Sequence, residues 1–201
     1  NKKIILVDVG ANLGGYIDLE IKNTKIKEIH IFEPSKKCFT YLNDKYDKKN
    51  FYINNKAVSN VSKKSKFYES EVLSQSSLHN TKNKFNSNLR NTDIYEIECL
   101  TLDVYFRNKN KNLIIDLLKI DAEGEDLKVL KGAVNLLKTK KIKLIKVELL
   151  NSFHGRENKS NINEIIFFLN KYGYSIITIT KTKFVKEKLL MMDVYFNNKN
   201  S

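Results

Sequence analysis

Apolar residues come in short runs along this chain, and their spacing alternates between strand-like and helix-like periods. Ile4 to Val9, I-I-L-V-D-V, has five apolar residues of six, most of them β-branched. That run predicts a strand covered on both faces, as in a parallel sheet. A turn from Gly10 to Gly15 follows, and Tyr16 to Asn23 continues as a helix. Lys27 to Pro34, K-E-I-H-I-F-E-P, predicts a second strand, with Pro34 at the first turn of a helix over Ser35 to Lys48. Phe51 to Val58 predicts a third strand and its exit. Leu113 to Asp121 is another buried strand, followed by a helix from Asp126 to Lys138 with Leu127, Val129, Leu130, Val134 and Leu137 on one face. Ile142 to Leu150 predicts a fifth strand and Asn161 to Lys171 a helix. Tyr174 to Thr180 and Leu189 to Phe196 predict two last strands. Few residues separate these two, too few for a crossover helix, so they must pair antiparallel.

Lys63 to Leu100 breaks the alternation of strand and helix. It is polar, with apolar residues alternating only around Phe67 and from Tyr95 to Leu100. It reads as a β-hairpin or irregular excursion, with Ser74 to Leu78 its most loop-like part. Such an excursion is either a functional loop or a polar insert. Asp103 then starts a short helix, Val104 to Phe106.

Composition narrows the class. A length of 201 residues predicts a single domain over 1–201, and a first strand that begins at Ile4 predicts that a segment ahead of it is missing from this sequence. Hydrophobic residues make up 41%, and one Pro and seven Gly argue against a linker-rich or fibrous chain. No apolar run reaches the length of a membrane span, and no signal peptide is visible. Cys38 and Cys99 lack metal-site spacing and read as reduced, structural thiols of a cytoplasmic protein. The net charge of +13 raises nucleic acid, an anionic membrane or an acidic glycan as partners. The lysines are spread along the whole chain, which argues against a specific nucleic-acid patch. A non-enzymatic basic binding module stays open as an alternative.

The candidate chemistry gathers at predicted strand ends, where ligands bind in open α/β sheets. Asp8 lies near the end of the first strand, before Gly10, Gly14 and Gly15. The order G-x-x-x-G-G with an acid ahead of it departs from the G-x-G-x-x-G of a dinucleotide cradle. It suits a ligand that is cationic or neutral at that point, and it weakens the alternative of a nucleotide-binding oxidoreductase. Glu33 lies 19 residues beyond Gly14, close to the spacing of a ribose-binding acid. It either accepts ribose hydroxyls or stabilises the next helix N-terminus. Asn54, Asn55 and Ala57 sit where an adenine ring could rest, with plain surface strand residues the favoured alternative for the two Asn. Lys119 and Asp121 leave the fourth long strand together, as a site or as a structural ion pair, and Glu123 and Glu125 sit at the following helix start. Glu148 lies near the end of the fifth strand. His154 and Arg156 lie in the polar loop after it, with His154 a candidate general base.

Taken in order, V-D-V-G-A-N-L-G-G-Y, I-F-E-P, K-A-V-S, S-S-L, T-L-D, D-L-L-K-I-D-A-E-G-E-D-L-K-V-L-K-G-A and V-E-L resemble the FkbM-type S-adenosylmethionine-dependent methyltransferases. The resemblance runs from Val7 to about Tyr174, and the Lys119–Ala133 block is its most specific part. It implies an α/β, Rossmann-like, doubly wound and mostly parallel seven-stranded sheet with an antiparallel last strand, plus the small β insertion around 63–100. It implies S-adenosylmethionine as methyl donor and a hydroxyl on a sugar, glycan or natural product as acceptor. By resemblance, Asp8 faces the positive charge of the cofactor's amino-acid portion. Gly10, Asn12 and Gly14 wrap that portion, Glu33 with Pro34 beside it holds the ribose, Ala57 borders the adenine, and Asp121 lies at the transfer site. His154, Asp121 and Glu148 are the candidate catalytic bases. A divalent metal held by Asp121 and Glu148 is the less favoured alternative, since no compact ligand cluster is visible in the sequence.

Overall fold

The computed structural model describes residues 3–46, 49–73, 76–79, 91–107, 109, 113–150, 162–185 and 188–198. The chain opens with β1 (Ile4–Val9), α1 (Gly15–Asn23), β2 (Ile26–Phe32), α2 (Lys36–Lys45) and β3 (Phe51–Asn54). Three strands then leave the main sheet: β4 (Ala57–Val58), β5 (Lys63–Ser70) and β6 (Asn91–Leu100), followed by α3 (Leu102–Phe106). The chain returns through β7 (Ile115–Ile120), α4 (Asp126–Lys131), α5 (Val134–Lys138), β8 (Ile142–Leu150) and α6 (Ile162–Asn170). It closes with β9 (Tyr174–Val185) and β10 (Lys188–Asn198).

The main sheet has seven strands in the order β3-β2-β1-β7-β8-β10-β9. Neighbours from β3 to β8 pair parallel, and β10 pairs antiparallel with both β8 and β9. This is the expected mostly parallel sheet with an antiparallel last strand. Strand alternation sends Leu6, Ile29, Ile31 and Leu117 to one face, against Ile17 of α1 and Leu42 of α2. Val7, Val9, Leu118, Ile120, Ile145 and Val147 go to the other, against Leu102, Val129, Leu130, Leu137, Ile165 and Leu169 from α3 to α6. Helices on both faces make the sheet doubly wound. The near-continuous apolar runs of β1 and β7 follow from burial on both sides. Among the described residues no helix is long and apolar enough to cross a membrane.

The excursion forms a three-stranded sheet, β4-β6-β5, with β5 and β6 antiparallel and β4 and β6 parallel. Ala57, Phe67, Ile97 and Cys99 form its small core. The expected strand Phe51 to Val58 is therefore two strands in two sheets. Asn54 and Asn55 make the change of direction: Asn54 Nδ2 donates to Ile31 O at 2.9 Å, and Asn55 Nδ2 donates to Glu33 O at 2.9 Å.

Two further expectations change. Pro34 is not in the first turn of α2; it precedes the cap residue Ser35, whose Oγ accepts from Cys38 N at 3.2 Å. The helix predicted over Asp126 to Lys138 is broken into α4 and α5. Gly132 is pressed against the backbone after β4, so that a Cβ there would sit 2.2 Å from Ser59 O. The Gly132 amide ends α4 on Lys128 O and Val129 O, and Gly132 O accepts from Asp103 N at 3.0 Å. Asp103 then receives the amides of Asn135 and Leu136 at 2.8 and 3.0 Å, capping α5 from outside the helix. Apolar periodicity continues across the break because both halves pack on the same face of the sheet, which is why the sequence reads as one helix.

The Gly132 contact yields a test. Gly132→Ala should separate α4 from β4 and lower stability by about 1–3 kcal/mol, the usual range for overpacking a closed site. Urea denaturation reads it. An unchanged midpoint would mean that the small sheet is not pinned to α4 at this point.

Candidate active site

The carboxyl ends of β2, β1 and β7, adjacent in the centre of the sheet, bring three turns together. The turn after β1 is left-handed at Gly10 (φ 76°), Asn12 (φ 51°) and Gly14 (φ 78°). Glycine is required at Gly10 for a second reason: a Cβ would lie 1.9 Å from Asp121 O. The turns after β1 and β7 thus touch backbone to backbone, with Asp121 N donating to Val9 O at 3.0 Å. Gly14 caps α1 and packs on Tyr46, whose hydroxyl lies 2.9 Å from Gly14 O.

The turn after β2 presents Glu33. Asn12 N donates to its Oε2 at 2.7 Å and Ser35 N donates to its Oε1 at 2.8 Å. Both readings of Glu33 therefore share one geometry: it satisfies an amide at the start of α2, and each oxygen retains acceptor capacity. Burial pushes its pKa up to about 7 against the opposing effect of the two amides. The turn after β7 is left-handed at Glu123 (φ 49°) and Gly124 (φ 105°). Asp126 is buried beneath it and accepts from Ala122 N at 3.0 Å, with its pKa raised by burial to about 6.

Lys119 stands between these turns. Its buried Nζ lies 3.0 Å from Asp8 Oδ1 and 3.4 Å from Asp121 Oδ2, and donates to Gly10 O at 2.7 Å. Burial opposes charge on Lys119, but Asp8 and Asp121 outweigh it and hold the ammonium charged. Asp8 has no exposed surface. The positive charge it faces is that of Lys119.

Across the next strand, burial and then the neighbouring Asp121 push Glu148 up to about 8. Asp193 on β10 pairs in register with Glu148 and forms a 2.9 Å ion pair with Lys146. Asp8, Asp121 and Glu148 are thus brought together, although Asp8 lies more than a hundred residues ahead of the other two. Ala57, expected at the adenine, packs in the core of the small sheet. His154 and Arg156 lie outside the described residues.

Sequence reasoning missed three groups. One is Lys146 with Asp193. The second is His79, whose Nε2 lies 2.8 Å from Glu125 Oε1. Burial works to raise Glu125, but His79 and Lys128 bring it down to about 2. The third is Glu69 on β5, which is buried and accepts from Ser35 Oγ at 2.5 Å. A signal existed for two of them: Asp193 is the lone charge in the apolar run L-L-M-M-D-V-Y-F, and Glu69 shares the inward face of Phe67, two residues before it.

A doubly wound sheet of this order, with strand-end carboxylates around a left-handed glycine turn, has the S-adenosylmethionine-type methyltransferase fold. The chain belongs to the FkbM methyltransferase family, since the Methyltransferase FkbM domain model matches residues 8–176. That assignment sets aside the oxidoreductase alternative. Methyltransferase FkbM from Methylobacillus flagellatus KT is similar in structure, with TM-score 0.61 and 14% identity over 96% of this chain and 43% of that one. M. capricolum TrmK, in complex with S-adenosyl-homocysteine, gives 0.53 and 11% over 99% of this chain and 64% of that one. Magnesium protoporphyrin IX methyltransferase (ChlM) from Synechocystis PCC 6803, with bound SAM, gives 0.52 and 9% over 98% of this chain and 71% of that one. The chain therefore spans less than half of the FkbM neighbour's length and somewhat under two thirds of TrmK's. No curated protein matches it significantly.

Two stability measurements follow from this electrostatic arrangement. Lys119→Met strands Asp8 as a buried, unpaired charge and should cost about 3–5 kcal/mol, much of it recovered when Asp8→Leu is added. Equal losses in the single and double variants would contradict the pairing. The second concerns pH. Glu33 and Glu148 titrate in the fold at about 7 and about 8, above their ordinary 4.5. The folded chain binds more protons than the unfolded one across that window, so stability should fall as pH rises through it. Glu148→Gln should flatten the upper part of the decline, and a flat wild-type profile would refute the raised values.

Proposed function

We propose that this chain is the catalytic part of an S-adenosylmethionine-dependent O-methyltransferase acting on a hydroxyl of a sugar, glycan or natural-product acceptor. One observation carries the reading. Glu33 stands at the end of β2 with its carboxylate fixed by the Asn12 and Ser35 amides, beside the left-handed turn after β1. Two clamped oxygens with acceptor capacity left suit a vicinal diol such as a ribose edge. The turn from Gly10 through Asn12 to Gly14 can approach a ligand with backbone alone. Pro34 begins the chain's departure toward α2 at the ribose end. Bound there, S-adenosylmethionine supplies a methyl group activated by a sulfonium.

Asp121 and Glu148 are then the catalytic pair. Glu148, pushed up to about 8 by burial and by Asp121 beside it, offers a basic site matched to neutral pH. That site can take the acceptor's hydroxyl proton as its oxygen gains the methyl group. Lys119 fixes Asp121 from one side, and Asp8 fixes Lys119, a positioning role for both. The Lys119 ammonium, 3.4 Å from Asp121, favours a metal-free arrangement over a divalent ion held by the same carboxyls. His154 stays a competing base. Cys38 and Cys99, both free and buried, suit a reducing compartment and support a cytoplasmic site of action.

Calorimetry with S-adenosylhomocysteine tests the cofactor reading. Ribose hydroxyls donate to the ionised form of Glu33, so affinity should weaken as pH falls below about 7. Glu33→Gln should weaken binding about tenfold or more at pH 8 and remove that dependence. A wild-type chain that binds no cofactor at any pH would overturn the proposal. Labelled methyl uptake by a panel of sugars, lost in Glu148→Gln, reads the catalytic half.

A further inference from the structure

Glu69 is a buried acid that reaches out of its own sheet to Ser35 and Lys37. It sits on β5 in the excursion, one of three strands whose core is Ala57, Phe67, Ile97 and Cys99. Its carboxylate does not serve that core. Oε1 accepts from Ser35 Oγ at 2.5 Å and lies 3.4 Å from the Tyr95 hydroxyl, and Oε2 lies 3.5 Å from Lys37 Nζ. Tyr95, on the facing strand β6, reaches the same segment: its hydroxyl accepts from Lys36 N at 3.0 Å and lies 3.4 Å from Pro34 O. One residue from each strand of the hairpin therefore grips residues 34–37, immediately after Glu33.

The connection to Glu33 is a chain of hydrogen bonds. Ser35 N donates to Glu33 Oε1 at 2.8 Å, while Ser35 Oγ accepts from Cys38 N at 3.2 Å. A hydroxyl has one proton to give, and Glu69 takes it. That fixes the Ser35 rotamer, keeps the hydroxyl's lone pairs toward α2, and aims the Ser35 amide at Glu33. A carboxylate is costly to bury, and a hairpin needing only to fold would do better with an apolar side chain at that position.

We propose that Glu69 is a positioning residue for cofactor binding, through which the excursion sets the geometry of the ribose-binding carboxylate. This rests on the reading of Glu33 given above. The excursion is then part of the donor site.

The test is a double-variant cycle on S-adenosylhomocysteine affinity at pH 8, with circular dichroism and thermal melting to establish folding. Glu69→Gln should raise Kd about tenfold in the wild-type background and less than about twofold in the Glu33→Gln background, because its effect runs through Glu33. The 2′,3′-dideoxy analogue, lacking the hydroxyls, should be nearly insensitive to Glu69→Gln. Ser35→Thr, which keeps the hydroxyl, should retain more affinity than Ser35→Ala. Equal penalties for Glu69→Gln in both backgrounds would make Glu69 merely structural and overturn the inference, as would no penalty in either. A silent Glu33→Gln would instead defeat the ribose reading itself. Should Glu69→Gln fail to fold, Tyr95→Phe decides: a loss of about threefold that vanishes without Glu33 supports the inference, and unchanged affinity overturns it.

Discussion

The Lys119 ammonium, buried between Asp8 and Asp121 and donating to Gly10 O, joins the ends of β1 and β7 to the turn that runs between them. An ammonium taken out of water needs its donors satisfied and its charge matched. Two carboxylates and a carbonyl do this only if the strands hold register, with Asp8 opposite Lys119, and if the glycine turn folds back over them. The same constraint brings Gly10 against the backbone of Asp121, where a side chain has no room. The position of the candidate site is thus a by-product of accommodating one charge in the centre of the sheet.

That accommodation makes the two faces unequal. On one, alternation places Asp8, Lys119, Lys146, Glu148 and Asp193 in a row across four adjacent strands. The other carries Val7, Val9, Leu118, Ile120, Val147 and Val194, with helices laid over it. The apolar face needs no specific partner and accounts for most of the burial. The polar face depends on its pairings, since Asp8 and Asp121 lean on one shared Lys119 and Asp193 leans on Lys146 and Lys181. Networks of this kind specify geometry more than they add stability. Such fixed geometry sets the surroundings of Asp121 and Glu148 in a way that a face of loosely solvated charges could not.

Much of the fold was legible because its signals are local. The β-branched run at β1, the acid-proline exit from β2, the A-E-G-E turn after β7 and the near-contiguous last strands each announce themselves in a few residues. What escaped depends on contacts between distant segments. Periodicity could not reveal the break at Gly132, because both half-helices face the same core and the cause is Ser59, far back in the chain. Asp8 was legible as an acid at a strand end. Its partner was not, since nothing in V-D-V shows that a lysine over a hundred residues later will take the charge. Glu69 shows the same limit: its inward position was readable beside Phe67, but its partner Ser35 belongs to another sheet layer.

The placement of β1 between β2 and β7 bears on how the chain acquires its shape. β1 and β2 are neighbours in sequence and can meet early, whereas β7 belongs to the second half. Closing a parallel pair across so long a loop is entropically expensive and kinetically slow. During synthesis the first half must wait, with Asp8 still hydrated and the inner border of β1 bare, until Lys119 has left the ribosome. A buried acid that cannot be desolvated without its distant lysine penalises premature collapse of that half-sheet, and it discourages the bare border from pairing with a second nascent chain.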